Sequence, residues 1–395
     1  MRVDVDSFED WYAGQFHYEK VNGERPGKKY GKTLSPLTIA KVLGIPRSTA
    51  NDLMNDGIAI LGIILHNYCH FLGFAVKENE YTFNVDKPMQ LADRLLSLNH
   101  DLFIHILSFF GHYGVPLFLF ISGFGLVAKY EQKERDKTVG VLSFTWYHYA
   151  KLLRLMFLGY IAFAVVSYLH PHGYHGYTFG RVVAQLLMYI NMLPDPDHII
   201  KPGPYWYFGL TLQLYIVYRL FLYRRKSAYV VAFIVVCWAI QTVFSPEMIG
   251  SDDSLNRIRY NFIGAMLPFG MGMLYARHGK AYGKPVYAAI AILSAIAVYT
   301  GSFNFNSWLW VPAFIVIGAV ATIKLLPENM LKPCVWVGVI SSALFVVHPV
   351  LREIIIPMSY RGRVYTGIII YIIASIVCAW LFKLLFRYIP KPKLR

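Results

Sequence analysis

The sequence predicts an all-α fold: a polytopic integral-membrane bundle of about ten transmembrane helices, with both termini cytoplasmic. Three observations carry this. Of 395 residues, 56% are hydrophobic and only 15% charged, more apolar surface than a soluble chain can bury. The apolar residues form runs of about 20, the length that crosses a hydrocarbon core roughly 30 Å thick. The basic residues concentrate on alternate connections, as the positive-inside rule requires.

Residues 1–55 are polar and hold no run resembling the core of a cleaved secretory signal. "GKKYGKT" (27–33) is one residue short of a phosphate loop, with Pro26 where the first glycine would stand, and reads as a basic linker. "LTIAKVLGIPRSTANDLM" (37–54) has the outline of a helix–turn–helix. Its second helix runs straight into the first span and leaves no linker to reach DNA, which favours a cytoplasmic amphipathic lead-in helix.

Spans are expected at roughly 57–76, 115–130, 150–169, 205–223, 228–244, 259–276, 284–300, 307–325, 334–350 and 364–387. The membrane domain covers 56–388, and 389–395 form a basic tail. With the N-terminus inside, the cytoplasmic connections hold Lys133, Arg135, Lys137, Arg224, Arg225, Lys226, Arg277, Lys280 and Lys332, and the tail holds Lys391, Lys393 and Arg395. This bias accounts for the net charge of +15, so no nucleic-acid partner is expected. "DLFIHILSFFGHY" (101–113) meets Gly114 and Pro116, and "RVVAQLLMYINML" (181–193) is too short to span. Both read as interfacial or re-entrant pieces on the outer face. Trp206, Tyr207 and Trp308 fall near span ends, where aromatic belts form. Cys69, Cys237, Cys334 and Cys378 lie in apolar stretches without CxxC spacing and read as packed thiols. No internal repeat is evident.

Ionisable residues at membrane depth are functional candidates by default. His66 falls near the middle of the first span, with His70 one turn nearer the outer face on the same side of the helix. The zincin motif HExxH needs a glutamate where Asn67 stands, and no third ligand is evident, so no metal is expected. A neutral imidazole at His66 suits general base chemistry, while His70 suits a cavity wall. Lys151 and Arg154 share one helical face at a cytoplasmic end. They read either as snorkelling charges or as a clamp for the phosphates of a cytosolic donor, and the pair alone does not decide. Ser122, Gln213, Asn261, His112 and His348 are further polar groups in or beside apolar stretches, with Arg257 and Arg259 at the outer mouth. "FISGF" lacks the flanking glycines of GxSxG, which argues against an acyl-serine route through Ser122.

Four segments in order, "GVPLFLFISGFGL" (114–126), "GPYWYFGLTLQLYIVYRL" (203–220), "RYNFIGAMLPFGMGMLYAR" (259–277) and "ISSALFVVHPVLR" (340–352), resemble the membrane acyltransferase 3 family over about residues 56–388. The resemblance implies a ten-helix domain that moves an acyl group, commonly acetyl, from a cytosolic coenzyme A thioester to a hydroxyl of a surface glycan or lipid-linked sugar. Acyl-coenzyme A would be a co-substrate with no bound cofactor, and the setting a cell membrane, in bacteria the inner one. The family's first-span histidine, its catalytic base, matches His66. Its RxxR pair, which serves donor binding, matches Lys151 and Arg154, with lysine replacing the first arginine. Where the family often carries a cation just before the first span, this chain has Asn55 and Asp56. His70, Ser122, Trp206, Gln213, Asn261 and His348 are the candidates for the acceptor side or the cavity wall. The competing reading is a transporter or flippase for a glycan or small anion, which also keeps polar groups in a central cavity; a membrane-tethered regulator is the third.

Overall fold

A computed structural model describes residues 47–133, 139–169, 174, 176–245, 248 and 251–394. The readings of 27–33 and of 37–46 lie outside the described residues. From Arg47 onward the lead-in is helical and continuous with the first apolar segment, as α1 (Arg47–Cys69). α1 stops at Cys69 rather than running to 76, which places His66 in its last turn and not at mid-span.

A loop and an amphipathic helix, α2 (Asp86–Ser97), lead to α3 (Leu102–Phe110). α3 does not break at Gly114 and Pro116. A 3₁₀ turn (Gly111–Tyr113) passes it directly into α4 (Gly114–Val127), and a π turn (Ala128–Lys133) extends the path. Pro116 falls in the first turn of α4, where a missing N–H costs no helical bond. Leu102–Gln132 is therefore one apolar path long enough to cross a membrane, and the break expected at Gly114 and Pro116 does not occur.

The chain continues through α5 (Val141–Leu169), α6 (Phe179–Leu186), the single turn α7 (Pro196–Ile199), and α8 (Trp206–Val217) with a π turn after it. Next come α9 (Ser227–Val243), α10 (Asp252–Arg259), α11 (Phe262–His278), α12 (Lys284–Gly301), the short α13 (Phe305–Trp308) and α14 (Val311–Leu325). The last three are α15 (Glu328–Val339), α16 (Ser341–Tyr360) and α17 (Val364–Leu385). The expected span at 334–350 is divided at Ile340, and α16 runs on past Pro349 to Tyr360.

Among the described residues there is no strand, and five helical segments are long and apolar enough to cross a membrane: Leu102–Gln132, Val141–Leu169, Lys284–Gly301, Ser341–Tyr360 and Val364–Tyr388. Asp56–Cys69, Ser227–Val243 and Val311–Leu325 are shorter apolar helices. α12 and α17 present Ile292, Leu293, Ile296, Ile369, Ile373 and Val377 outward, a surface suited to lipid and unsuited to water. Inside, α4 packs on α11, α1 on α15, α12 on α14 and α16 on α17. The α4–α11 crossing depends on Gly123 and Gly272. A Cβ at Gly123 would stand 2.1 Å from the Phe269 carbonyl oxygen, so the backbones meet only because both sides lack side chains.

Candidate active site

The same use of small residues builds the site. Gly111, in the turn between α3 and α4, lies against the last turn of α1. A Cβ there would come within 2.6 Å of the Gly62 carbonyl oxygen and 2.7 Å of the His66 Cβ. The close approach brings the His112 ring to 4.7 Å from the His66 ring, centroid to centroid, with the His70 ring 5.1 Å from it.

His66 is almost fully buried, and its Nδ1 lies 2.8 Å from the backbone oxygen of Ser108. A carbonyl only accepts, so Nδ1 carries the hydrogen and the Nε2 lone pair is left bare. Nε2 makes no hydrogen bond among the described residues; Glu78 Oε2 stands 4.0 Å from it. An imidazole oriented in this way can accept a proton from a hydroxyl brought to Nε2.

Glu78 arrives on the loop between α1 and α2, which folds back over the end of α1 and is pinned from several directions. Arg259 donates from Nε and Nη2 to the Glu80 carbonyl, at 3.0 and 2.7 Å, and from Nη1 to Gln241 Oε1 at 3.0 Å. Trp308 donates from its indole nitrogen to the Asn79 carbonyl, and Lys87 from Nζ to the Glu78 carbonyl at 2.7 Å. Trp206 and Trp308 are thus buried, not belt residues. The loop delivers two carboxylates to three histidines: Glu78 Oε2 is 2.6 Å from His70 Nδ1, and Glu80 Oε2 is 2.5 Å from His112 Nδ1. Burial alone would raise the Glu78 carboxyl, but its contact with His70 and the adjacent His66 hold it well below the usual carboxylate range, so it is ionised at neutral pH. Sequence reading missed both glutamates because the first span was drawn to 76. The signal available was "KENEY", two carboxylates directly after a histidine-bearing helix.

These groups face a cavity of about 80 Å³, room for a few waters or the reactive end of a ligand and not for a whole coenzyme. His66, His70, Glu78 and His112 line it together with the aromatic residues Trp206, Tyr207, Tyr260 and Phe345. Asn67, Phe71, Asp197, His198, Lys201 and Arg352 complete the lining. Of the sequence candidates, His66, His70 and Trp206 are brought together here.

The others stand elsewhere. Ser122 lies beside the hydroxyls of Tyr207 and Tyr215. Gln213 and Asn261 form a bonded clamp: Gln213 Nε2 donates to Asn261 Oδ1 at 2.9 Å, and the Phe262 N–H donates to Gln213 Oε1 at 3.2 Å. His348 is fully buried, with Nδ1 3.0 Å from the Leu344 carbonyl oxygen, and does not reach the cavity. Lys151 is exposed. Arg154 donates to the Phe386 carbonyl and stacks on that ring at 5.1 Å. Phe386 follows the C-terminal end of α17, whereas Tyr68, next to the site, packs at the other end near Gly367 and Tyr371. At about 1.5 Å per residue, roughly 28 Å of α17 separates the two. Neither Lys151 nor Arg154 lines the cavity at His66.

His66, His70 and Glu78 also place three candidate metal-ligand atoms within 4.8 Å of one another, so Glu78 supplies the third candidate donor that the sequence does not reveal.

A protein-family model described as an acyltransferase domain matches residues 56–384, most of the chain. The chain belongs to the acyltransferase 3 family. The acyltransferase is thus a membrane enzyme that moves acyl groups, and its matched region takes in every residue lining the cavity. No curated protein and no solved structure matches it.

Proposed function

We propose that this acyltransferase moves an acyl group, in the first instance acetyl, from a coenzyme A thioester in the cytosol to a hydroxyl of a surface glycan or related acceptor, with His66 as general base. The observation that carries this reading is the His66 tautomer: the Ser108 carbonyl holds the hydrogen on Nδ1, and the bare Nε2 faces a cavity lined by polar and aromatic groups.

In the proposed step an acceptor hydroxyl gives its proton to Nε2 while its oxygen attacks the thioester carbonyl. The resulting oxyanion collapses, the carbon–sulfur bond breaks, and the coenzyme A sulfur leaves with the proton held by the imidazolium. Glu78, ionised and 4.0 Å from Nε2, stabilises the imidazolium while it exists. In this reading the donor binds at the cytoplasmic face by its phosphates and extends its thioester arm into the bundle. Lys151 and Arg154 are the proposed phosphate contacts.

The test is acetyl-coenzyme A turnover by purified protein in nanodiscs, with a glycan extract of the host as acceptor pool. Wild type is expected to cleave the thioester in an acceptor-dependent manner, and a folded His66→Ala variant to lose at least about 100-fold of that rate. Equal rates in the two would remove His66 as the base. Absence of both turnover and donor binding in wild type would sink the transferase reading.

A further inference from the structure

The cavity beside His66 holds a buried guanidinium that forms no salt bridge among the described residues. Arg352, on α16, is only 3% exposed. Its Nη1 donates to Asn67 Oδ1 at 3.2 Å, and its guanidinium lies 3.8 Å from the centre of the Phe71 ring. Asn67 is itself fixed, since its Nδ2 donates to the Ile63 carbonyl at 3.1 Å, which turns Oδ1 towards the arginine. Among the described residues no carboxylate forms a salt bridge with Arg352. A buried guanidinium held, among the described residues, by a neutral amide and a ring face is costly unless a counter-ion joins it.

Lys201 stands on the same cavity, half-buried, and its Nζ donates to the Asp197 carbonyl at 3.0 Å. Burial and the nearby charge of Arg352 draw its ammonium below the ordinary lysine range, which marks the two cations as neighbours. The two carboxylates that line the cavity are engaged by histidines, Glu78 with His70 at 2.6 Å and Asp197 with His198 at 3.4 Å. Glu353, next to Arg352 on α16, acts on both cations from a distance without a salt bridge to either among the described residues. With His198 held protonated by Asp197, the lining keeps a positive excess, and Trp206, Tyr207 and Phe345 line the same cavity with aromatic faces suited to the apolar side of a sugar ring.

We infer that the acceptor is an acidic saccharide, whose carboxylate or phosphate group is gripped by Arg352 with help from Lys201 so that a neighbouring hydroxyl meets His66. A planar guanidinium takes either anion through two parallel hydrogen bonds, and asparagine holds the fork in place beforehand. Arg352 is then the residue that selects the acceptor. The inference rests on reading this cavity as the acceptor site, and binding measured without donor separates its fate from that of the transfer reaction.

The experiment is equilibrium binding to the full chain in nanodiscs, without acyl-coenzyme A, of three probes: a tetragalacturonate, maltotetraose, and maltotetraose 1-phosphate. At least one acidic probe is expected to bind about tenfold or more tighter than neutral maltotetraose, and whichever prevails identifies the anion as carboxylate or phosphate. Arg352→Gln is expected to abolish that preference with little effect on maltotetraose. Should Arg352→Gln fail to fold, Lys201→Gln, on a loop outside the helices, is expected to reduce the preference about threefold or more. Equal binding of all three probes, an unchanged preference in the folded Arg352→Gln variant, or displacement of the acidic probe by coenzyme A alone would overturn the inference; the last would assign the cations to the donor.

Discussion

His66 ends α1 instead of sitting within it, and that placement decides what surrounds it. A histidine in mid-helix would meet only side chains of neighbouring helices. In the last turn it meets a backbone carbonyl from α3 and a carboxylate from the following loop. Glu78 is then a positioning and charge-balancing residue: it touches His70 directly and faces the base at 4.0 Å. Glu78→Gln is expected to lower kcat by roughly 10–100-fold with little change in KM, because it leaves the imidazolium without its counter-charge but leaves the cavity shape intact. The same carboxylate sets an acid limit. Its folded pKa lies well below the ordinary 4.5, so the stability it contributes is present above pH 4.5 and lost as pH falls through the folded value. Thermal melts of wild type and Glu78→Gln are expected to differ at neutral pH and to converge on acidification. Parallel curves down to the lowest pH would remove the ion pair as a source of stability.

The loop between α1 and α2 shows how irregular backbone is held beside a membrane bundle. Its carbonyls cannot be left unpaired in a buried position, and Arg259, Trp308 and Lys87 supply the donors. Arg259 carries the most: it bonds the Glu80 carbonyl twice, bonds Gln241 once and stacks on Trp308 at 4.6 Å. Arg259→Lys keeps the charge but loses the fork, and a loss of about 2–4 kcal/mol in stability is expected, read by denaturation in detergent. Hydrogen exchange at residues 77–85 should accelerate in the same variant; unchanged exchange there would show that the loop holds without Arg259. This element also marks the boundary of what the sequence makes legible. Composition and run lengths give the all-helical membrane fold, and His66, His70 and Trp206 are visible as polar or aromatic residues in apolar surroundings. Glu78, Glu80, Lys201 and Arg352 are not, since each lies in or near a segment where charge is unremarkable. Only the return of the loop over α1, and the packing of α16 against it, gives them a role. The break expected at Gly114–Pro116 fails for a related reason: a proline in a first turn looks the same in sequence as one that ends a helix.

At the scale of the molecule, the arrangement sets two charged regions at opposite ends of one apolar helix. Arg154 is tied to Phe386 just past the C-terminal end of α17, and the His66 cavity lies by its N-terminal end. α17 itself is largely exposed and apolar and long enough to cross a membrane, so its two ends are expected on opposite sides of the bilayer. A donor entering at one face and an acceptor at the other would then meet inside the bundle, and sidedness becomes a direct test of that geometry. Arg361 and Tyr388 flank α17 and are both exposed, whereas Cys69 and Cys237 are buried and Cys334 and Cys378 half-buried. With the four native cysteines replaced, Arg361→Cys is expected to react with a membrane-impermeant maleimide in intact cells. Tyr388→Cys is expected to react only after permeabilisation, which places the C-terminal tail in the cytoplasm together with its lysines. Reaction of both from outside, or of neither, would mean that α17 does not cross, and would remove the two-sided route from donor to acceptor.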